Sequence, residues 1–212
     1  IQYFVFEPMG VPFGVTVAGI IILILIYTYK GGIQTLVWTD TLQSILLLGA
    51  VVFTIFSITD SLDWSFGEMV GNVYNSNYAN MLVLDWQGSH FVLKDLIGGM
   101  FISIAMTGLD QNMMQKNLSC PNLKDGQKNV VSFSFVMVLV NVFFLSLGAL
   151  LFIYSAQIGF EIPKSTDDLF PQLALTKLGM FTGIAFIVGL TASTFSSADS
   201  VLTTLTTSFY VD

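Results

Sequence analysis

Residues 129–160 form an unbroken run of 32 residues without one charged side chain. A membrane span needs about 20 mostly apolar residues, so this run is longer than a single straight crossing requires. Four further stretches are nearly as clean. Residues 8–29 are uncharged; 33–58 carry only Asp40, 96–115 only Asp110, and 178–211 only Asp199. Inside a bilayer the backbone must satisfy its own hydrogen bonds, and runs of this length do so as helices. The expected fold is therefore all-α: a polytopic membrane helix bundle with five spans, at roughly 11–29, 33–58, 95–116, 129–155 and 179–210, in one transmembrane unit over 1–212.

Composition narrows the function classes. Charged residues make up 10% of the chain, against about 25% in an ordinary globular domain. The seven basic residues are all Lys and face fourteen acidic ones, so no basic surface exists for nucleic acid. A single cysteine, Cys120, excludes an internal disulfide, and a single histidine, His90, excludes a multi-histidine metal site. No cofactor is expected. The chain opens on Ile1 with no basic region before its first apolar stretch, so that stretch does not read as a signal peptide. It is expected to be a fragment, with missing helices of the same chain among its partners beside the lipid bilayer.

Short lysine-bearing connections set the expected orientation. Tyr29-Lys30-Gly31-Gly32 reads as a tight turn. Residues 116–128 carry Lys116, Lys124 and Lys128, while the longer segments 59–94 and 156–177 are mostly acidic. The lysine-rich connections, at 30–32 and 116–128, belong on the cytoplasmic side of the cell's inner membrane. Trp64, Tyr74, Tyr78, Trp86 and Phe91 suit the opposite interface. Ser165-Thr166-Asp167-Asp168 reads as a helix start, so a short outer helix is expected over 166–177.

Three carboxylates sit where charge is expensive, at roughly 2.5–3.5 kcal/mol on insertion scales. Asp110 is six residues before Lys116, close enough to the membrane edge to be wet. Asp40 has Gln43 and Ser44 on the same helix face. It is either a buried carboxylate tied to a neighbouring helix or a functional one. Asp199 lies in the most polar span. There Ser193, Ser196, Ser197, Ser200, Thr204 and Thr207 fall on one stripe, with Asp199 and Thr203 along its edge. Small residues spaced by four also let membrane helices pack closely, and their hydroxyls can bond back to their own backbone. A carboxylate is not needed for packing, whereas rows of oxygens suit a small hard cation. Gly98, Gly99 and Gly108 mark either close packing or a broken third span.

Three segments together carry a family resemblance. Lys30-Gly31-Gly32-Ile-Gln-Thr-Leu-Val37-Trp38-Thr39-Asp40-Thr-Leu-Gln43 resembles the glycine-pair turn and following helix of the sodium:solute symporters, which include the sodium/glucose cotransporters. Gly108-Leu-Asp110-Gln111-Asn-Met-Met-Gln115-Lys116-Asn-Leu118 is similar to that family's Asp-Gln-x-x-x-Gln-Arg-x-Leu segment, with Lys116 in place of the usual arginine. Ser196-Ser197-Ala-Asp199-Ser200 resembles its sodium-binding helix. The resemblance implies a leucine-transporter-like inverted-repeat fold, with these spans as core helices four to eight. It implies a sodium-coupled importer of a small organic solute such as a sugar, sugar acid or polyol, with Na+ and the solute as partners. By the same likeness, Ser193, Ser196 and Ser197 hold one sodium ion, and Asp40, Asp199 and Ser200 belong to a second site. Solute is expected near Ser103, Met106 and Thr107. Ser103 and Met106 replace the asparagine and aromatic gate of galactose-transporting members, and Met137 replaces a sugar-contacting lysine. Two rival readings remain from the residues alone: an intramembrane aspartyl protease using Asp40 and Asp199, and a channel or structural bundle whose hydroxyls only pack.

Overall fold

The computed structural model describes residues 2–79, 83–88 and 91–211; for 30–34 and 211 it describes the backbone alone. His90 lies outside the described residues. Among those described, the chain is helical throughout, with α1 (Phe13–Ser61), α2 (Phe66–Tyr74), α3 (Val92–Ile104), α4 (Gln111–Leu118), α5 (Leu123–Gln157), α6 (Leu169–Thr176) and α7 (Met180–Val211). Four segments among the described residues are long and apolar enough to cross a bilayer: Thr35–Ser61, Val92–Leu109, Leu123–Gln157 and Met180–Tyr210. The first expected span corresponds to a shorter apolar segment, Phe13–Tyr29.

α1 is assigned over 49 residues, Phe13–Ser61. Straight, it would be about 74 Å long, more than twice a hydrocarbon core. It is not straight. Its second half runs antiparallel to α7. Ser57 hydrogen-bonds Thr182 at 2.8 Å; two turns earlier on α1 and two turns later on α7, Ala50 meets Gly189. Asp40 then meets Ser196. A straight continuation would carry Tyr27 to about three turns past Asp199. Instead its hydroxyl bonds Asp199 itself, and Gln43 sits beside it. Ile24 and Leu36 likewise border one cavity with Leu202 and Thr206. The chain therefore folds back between Tyr27 and Leu36. The sequence places that reversal at the Lys30-Gly31-Gly32 turn, inside the stretch between Tyr27 and Leu36.

The expected third span is interrupted. α3 passes into a π-type turn, Ala105–Leu109, and Asp110 is extended (φ −77°, ψ 121°) before α4 begins. Asp110 caps α4 by accepting from the Met113 N–H at 2.8 Å, which satisfies one of the donors that every helix start leaves open. That gives this carboxylate a local structural task.

The apolar core gathers at the end opposite Lys116. Val51, Ile55 and Ile58 of α1 pack with Leu147, Leu150, Leu151 and Tyr154 of α5, and with Leu169 and Leu173 of α6. α2 adds Met69 to it. A reciprocal cap holds the start of α2, in which Ser65 accepts from the Glu68 N–H while Glu68 accepts from the Ser65 N–H. α1 ends in a left-handed cap, with Asp63 at φ 53° and the Trp64 N–H bonded to the Thr59 carbonyl. The outer helix expected over 166–177 is a 3-10 turn, Thr166–Asp168, leading into α6, and Ser165 makes no side-chain cap bond.

Candidate cation site between α1 and α7

Membrane helices approach closely where side chains are small. Gly189 does this for α7: a methyl group added there would lie 2.7 Å from Ala50 Cβ. The contact fixes the register that brings the polar faces of the two helices together. One side chain of the serine stripe crosses the gap. Ser196 Oγ donates to Asp40 Oδ1 at 2.9 Å. The other oxygen of Asp40 accepts from Lys116 Nζ at 2.5 Å, an ion pair reaching in from α4. With the lysine side chain 30% exposed and the aspartate 19%, the pair is half-buried. Both line a cavity of about 310 Å3 with Ser44, Thr107, Asn129 and Phe133.

A second polar centre lies one turn farther along α7. Asp199 is 1% exposed and its Oδ1 accepts from the Tyr27 hydroxyl. Its Oδ2 is buried with no hydrogen-bond partner, and so is Oε1 of Gln43, whose side chain lies beside both Tyr27 and Asp199. Tyr27 comes from the first half of α1 and Gln43 from the second, so the fold-back of α1 builds this centre.

The remaining predicted residues separate. Ser197 is exposed and its hydroxyl bonds back to the Ser193 carbonyl at 3.0 Å. Ser193 and Ser200 are half-buried. Thr203 and Thr207 also bond back along their own helix, to the carbonyls of Asp199 and Thr203. Much of the stripe is thus self-satisfied, and Ser196 is the hydroxyl that reaches α1. Of the residues expected near solute, Thr107 borders the Asp40 cavity, whereas Ser103 is exposed and Met106 is 66% exposed on the face of α3 and its π-type turn. Asp40 and Asp199 are each bonded elsewhere, rather than forming the proton-sharing pair an aspartyl protease uses.

Sequence reasoning did not assign Tyr27 or Lys116 to this site. A tyrosine near the end of a span resembles an interfacial anchor, and Lys116 reads as a loop charge. The signal for Lys116 was available in principle: a cation at a helix end beside an intramembrane carboxylate calls for a partner. Among the described residues no three His, Cys, Asp or Glu side chains cluster as they do around a transition metal. Hydroxyl, amide and carboxylate oxygens are ligands for a hard cation.

Comparison with known proteins agrees with this chemistry. The family model described as "Sodium:solute symporter family" matches residues 3–212. The chain is 24% identical over 208 residues to the sodium/sialic acid symporter SiaT of Proteus mirabilis, covering 96% of this chain and 42% of that protein. It is 25% identical over 198 residues to the sodium/sialic acid symporter NanT of Aliivibrio fischeri, covering 90% and 39%. To the sodium/glucose cotransporter of Vibrio parahaemolyticus it is 24% identical over 140 residues, covering 62% and 26%. The chain thus spans about two-fifths of the length of the first two relatives. No solved structure matches it significantly.

Proposed function

Because this chain belongs to the sodium:solute symporter family, we propose that it is the ion-coupling part of a sodium-driven importer of a small organic solute. The relatives named as sodium/sialic acid symporters make a sugar acid the first solute to test; another sugar or a polyol follows. In this reading the segments Phe13–Tyr29 and Thr35–Ser61, the broken α3–α4 unit, α5 and α7 are core helices four to eight of a leucine-transporter-like inverted repeat. Their exposed faces meet lipid and the other helices of the protein in the cell's inner membrane, with Lys116–Lys128 cytoplasmic.

Sodium binds along the Ser193, Ser196 and Ser197 segment, completed by helices outside this chain. A second ion binds between α1 and α7, where Asp40, Asp199 and Ser200 lie. Solute binds by Ser103, Met106 and Thr107, facing the missing helices. The observation that carries this reading is the Ser196–Asp40 hydrogen bond, which joins the polar stripe of α7 to a carboxylate inside the membrane-length segment Thr35–Ser61. An ion bridging those oxygens holds the two helices in one arrangement. Solute favouring the same arrangement binds more tightly when sodium is present, typically 5–150-fold for such linkage.

The test is uptake by the full-length protein in liposomes, with sodium replaced by choline. Sialic acid, glucose and a polyol are offered in turn. Accumulation that disappears in choline supports the proposal; accumulation unchanged in choline refutes it.

A further inference from the structure

Among the described residues, one lysine and one aspartate are the charged side chains lining the cavity between α1, α4 and α5. Lys116 Nζ lies 2.5 Å from Asp40 Oδ2, and that bond uses one of its three donors. The other two are open to the cavity, where the lysine side chain stays 30% exposed. Asn117 lines the same space. It accepts from Asn129 at 2.9 Å, which leaves its own amide N–H groups without a partner. Thr107, on the π-type turn beside which solute is placed above, borders the cavity as well. At about 310 Å3 its volume lies at the lower end of small-molecule sites.

A lysine is a point charge on a flexible stem, free to change partners. The Lys116–Asp40 pair is neutral as a unit. Sodium entering alone to bind Asp40 leaves one excess positive charge, on Lys116. An acid entering alone to bind Lys116 leaves one excess negative charge, on Asp40. Together they replace one ion pair with two, and neither charge is stranded. In a half-buried site stranding is costly, because charges interact more strongly where water is scarce.

We propose that Lys116 is the solute's anion partner: sodium takes Asp40 from it, and the freed ammonium binds a carboxylate of the solute. The unused Asn117 amide is a second donor to that carboxylate. The proposal rests on the sodium reading above and names the solute class of that transporter as an organic acid. Coupling then follows from charge balance. Each ligand enters more readily when the other is present, and by the same factor. A neutral sugar or polyol takes no part in the exchange.

The test is binding to the purified full-length protein, in sodium and in choline at constant ionic strength. Sialic acid and glucuronic acid are each compared with their uncharged methyl esters. In the wild type, sodium should tighten the acids by about tenfold or more, inside the 5–150-fold range of such linkage, and the esters by a smaller factor. This comparison needs no variant, so it decides the proposal even where a variant fails to fold. Lys116→Met should reduce the acids' gain to that of their esters. Without solute, radioactive sodium should bind this variant more tightly than the wild type, since no tethered cation competes for Asp40. Lys116→Arg keeps the charge and should keep the preference for acid over ester. Esters that gain as much from sodium as the acids overturn the proposal, as does a Lys116→Met protein that keeps the acids' advantage. A protein that accumulates glucose or a polyol with sodium and binds neither acid also overturns it, and leaves the sodium reading standing. Acids that bind equally in sodium and choline overturn both.

Discussion

Gly189 on α7 lies so close to Ala50 on α1 that a side-chain carbon on the glycine would meet Ala50 Cβ at 2.7 Å. That single contact sets how the polar faces of the two helices oppose each other. Gly189→Ala should cost about 1–3 kcal/mol through overpacking. Ala50→Gly in the same protein should restore part of the loss, since it removes the methyl group in the way. Thermal unfolding of the two variants and their combination in detergent reads this coupling. A Gly189→Ala protein as stable as wild type would show that the helices are not in this register.

The fold-back of α1 has a direct distance signature. Gly14 and Ser61 stand near the two ends of a helix that would separate them by about 70 Å if it were straight. Spin labels at the two positions should report well under that span, on the order of one membrane thickness or less. A distance distribution centred near the straight-helix value would contradict the reversal and, with it, the Tyr27–Asp199 contact.

Removing one member of the Lys116–Asp40 pair leaves a half-buried charge without its counter-charge. Lys116→Met should destabilise the protein by about 1–3 kcal/mol, below the 3–5 typical of a fully buried pair because both side chains retain some solvent. Asp40→Asn added to it should recover most of the loss. If Lys116→Met is neutral alone, the ion pair contributes nothing to the fold.

Much of this site can be read from sequence, and the unreadable part has a physical cause. Helical periodicity puts Ser193, Ser196, Ser197 and Ser200 on one face, and the cost of charge in lipid singles out Asp40 and Asp199. Periodicity alone does not say which serine crosses to α1. Ser196 does, over 156 residues of chain, while its neighbour Ser197 bonds back to its own helix. The Lys116–Asp40 and Tyr27–Asp199 contacts span 76 and 172 residues and depend on a packing register and a reversal that no local pattern encodes. Local signals fared differently at helix ends. The Ser65-x-x-Glu68 box starts α2, a helix not expected within the outer segment 59–94, whereas Asp110, conspicuous as a membrane carboxylate, is a helix cap.

Ser196→Ala and Ser197→Ala should therefore differ. Loss of the Ser196 hydroxyl removes a proposed sodium-ligating oxygen together with its tie to Asp40, so apparent sodium affinity in uptake should fall by about tenfold. Ser197→Ala should have the smaller effect, because its hydroxyl is spent on the Ser193 carbonyl. Equal losses would mean that the two serines serve the ion alike.

Glu68 gives a pH prediction outside the membrane. The Ser65 backbone N–H, and then the Ser65 hydroxyl, favour its ionised form and hold its carboxyl below the usual glutamate range. The cap therefore supports α2 fully above the unfolded glutamate pKa and loses that support as pH falls through the lower, folded value. Amide exchange in α2, corrected for the intrinsic pH dependence of exchange, should speed up on acidification through that window. Glu68→Gln should flatten the response; a wild-type helix indifferent to acid would contradict it.

The account stands on a sodium ion occupying the face shared by α1 and α7. Equilibrium binding of radioactive sodium to the purified full-length protein measures this without reference to any solute. Saturable binding that weakens in Ser196→Ala and in Asp199→Asn, and is not displaced by equal choline, is the predicted result. Binding that is absent, or as strong in both variants as in the wild type, would contradict it.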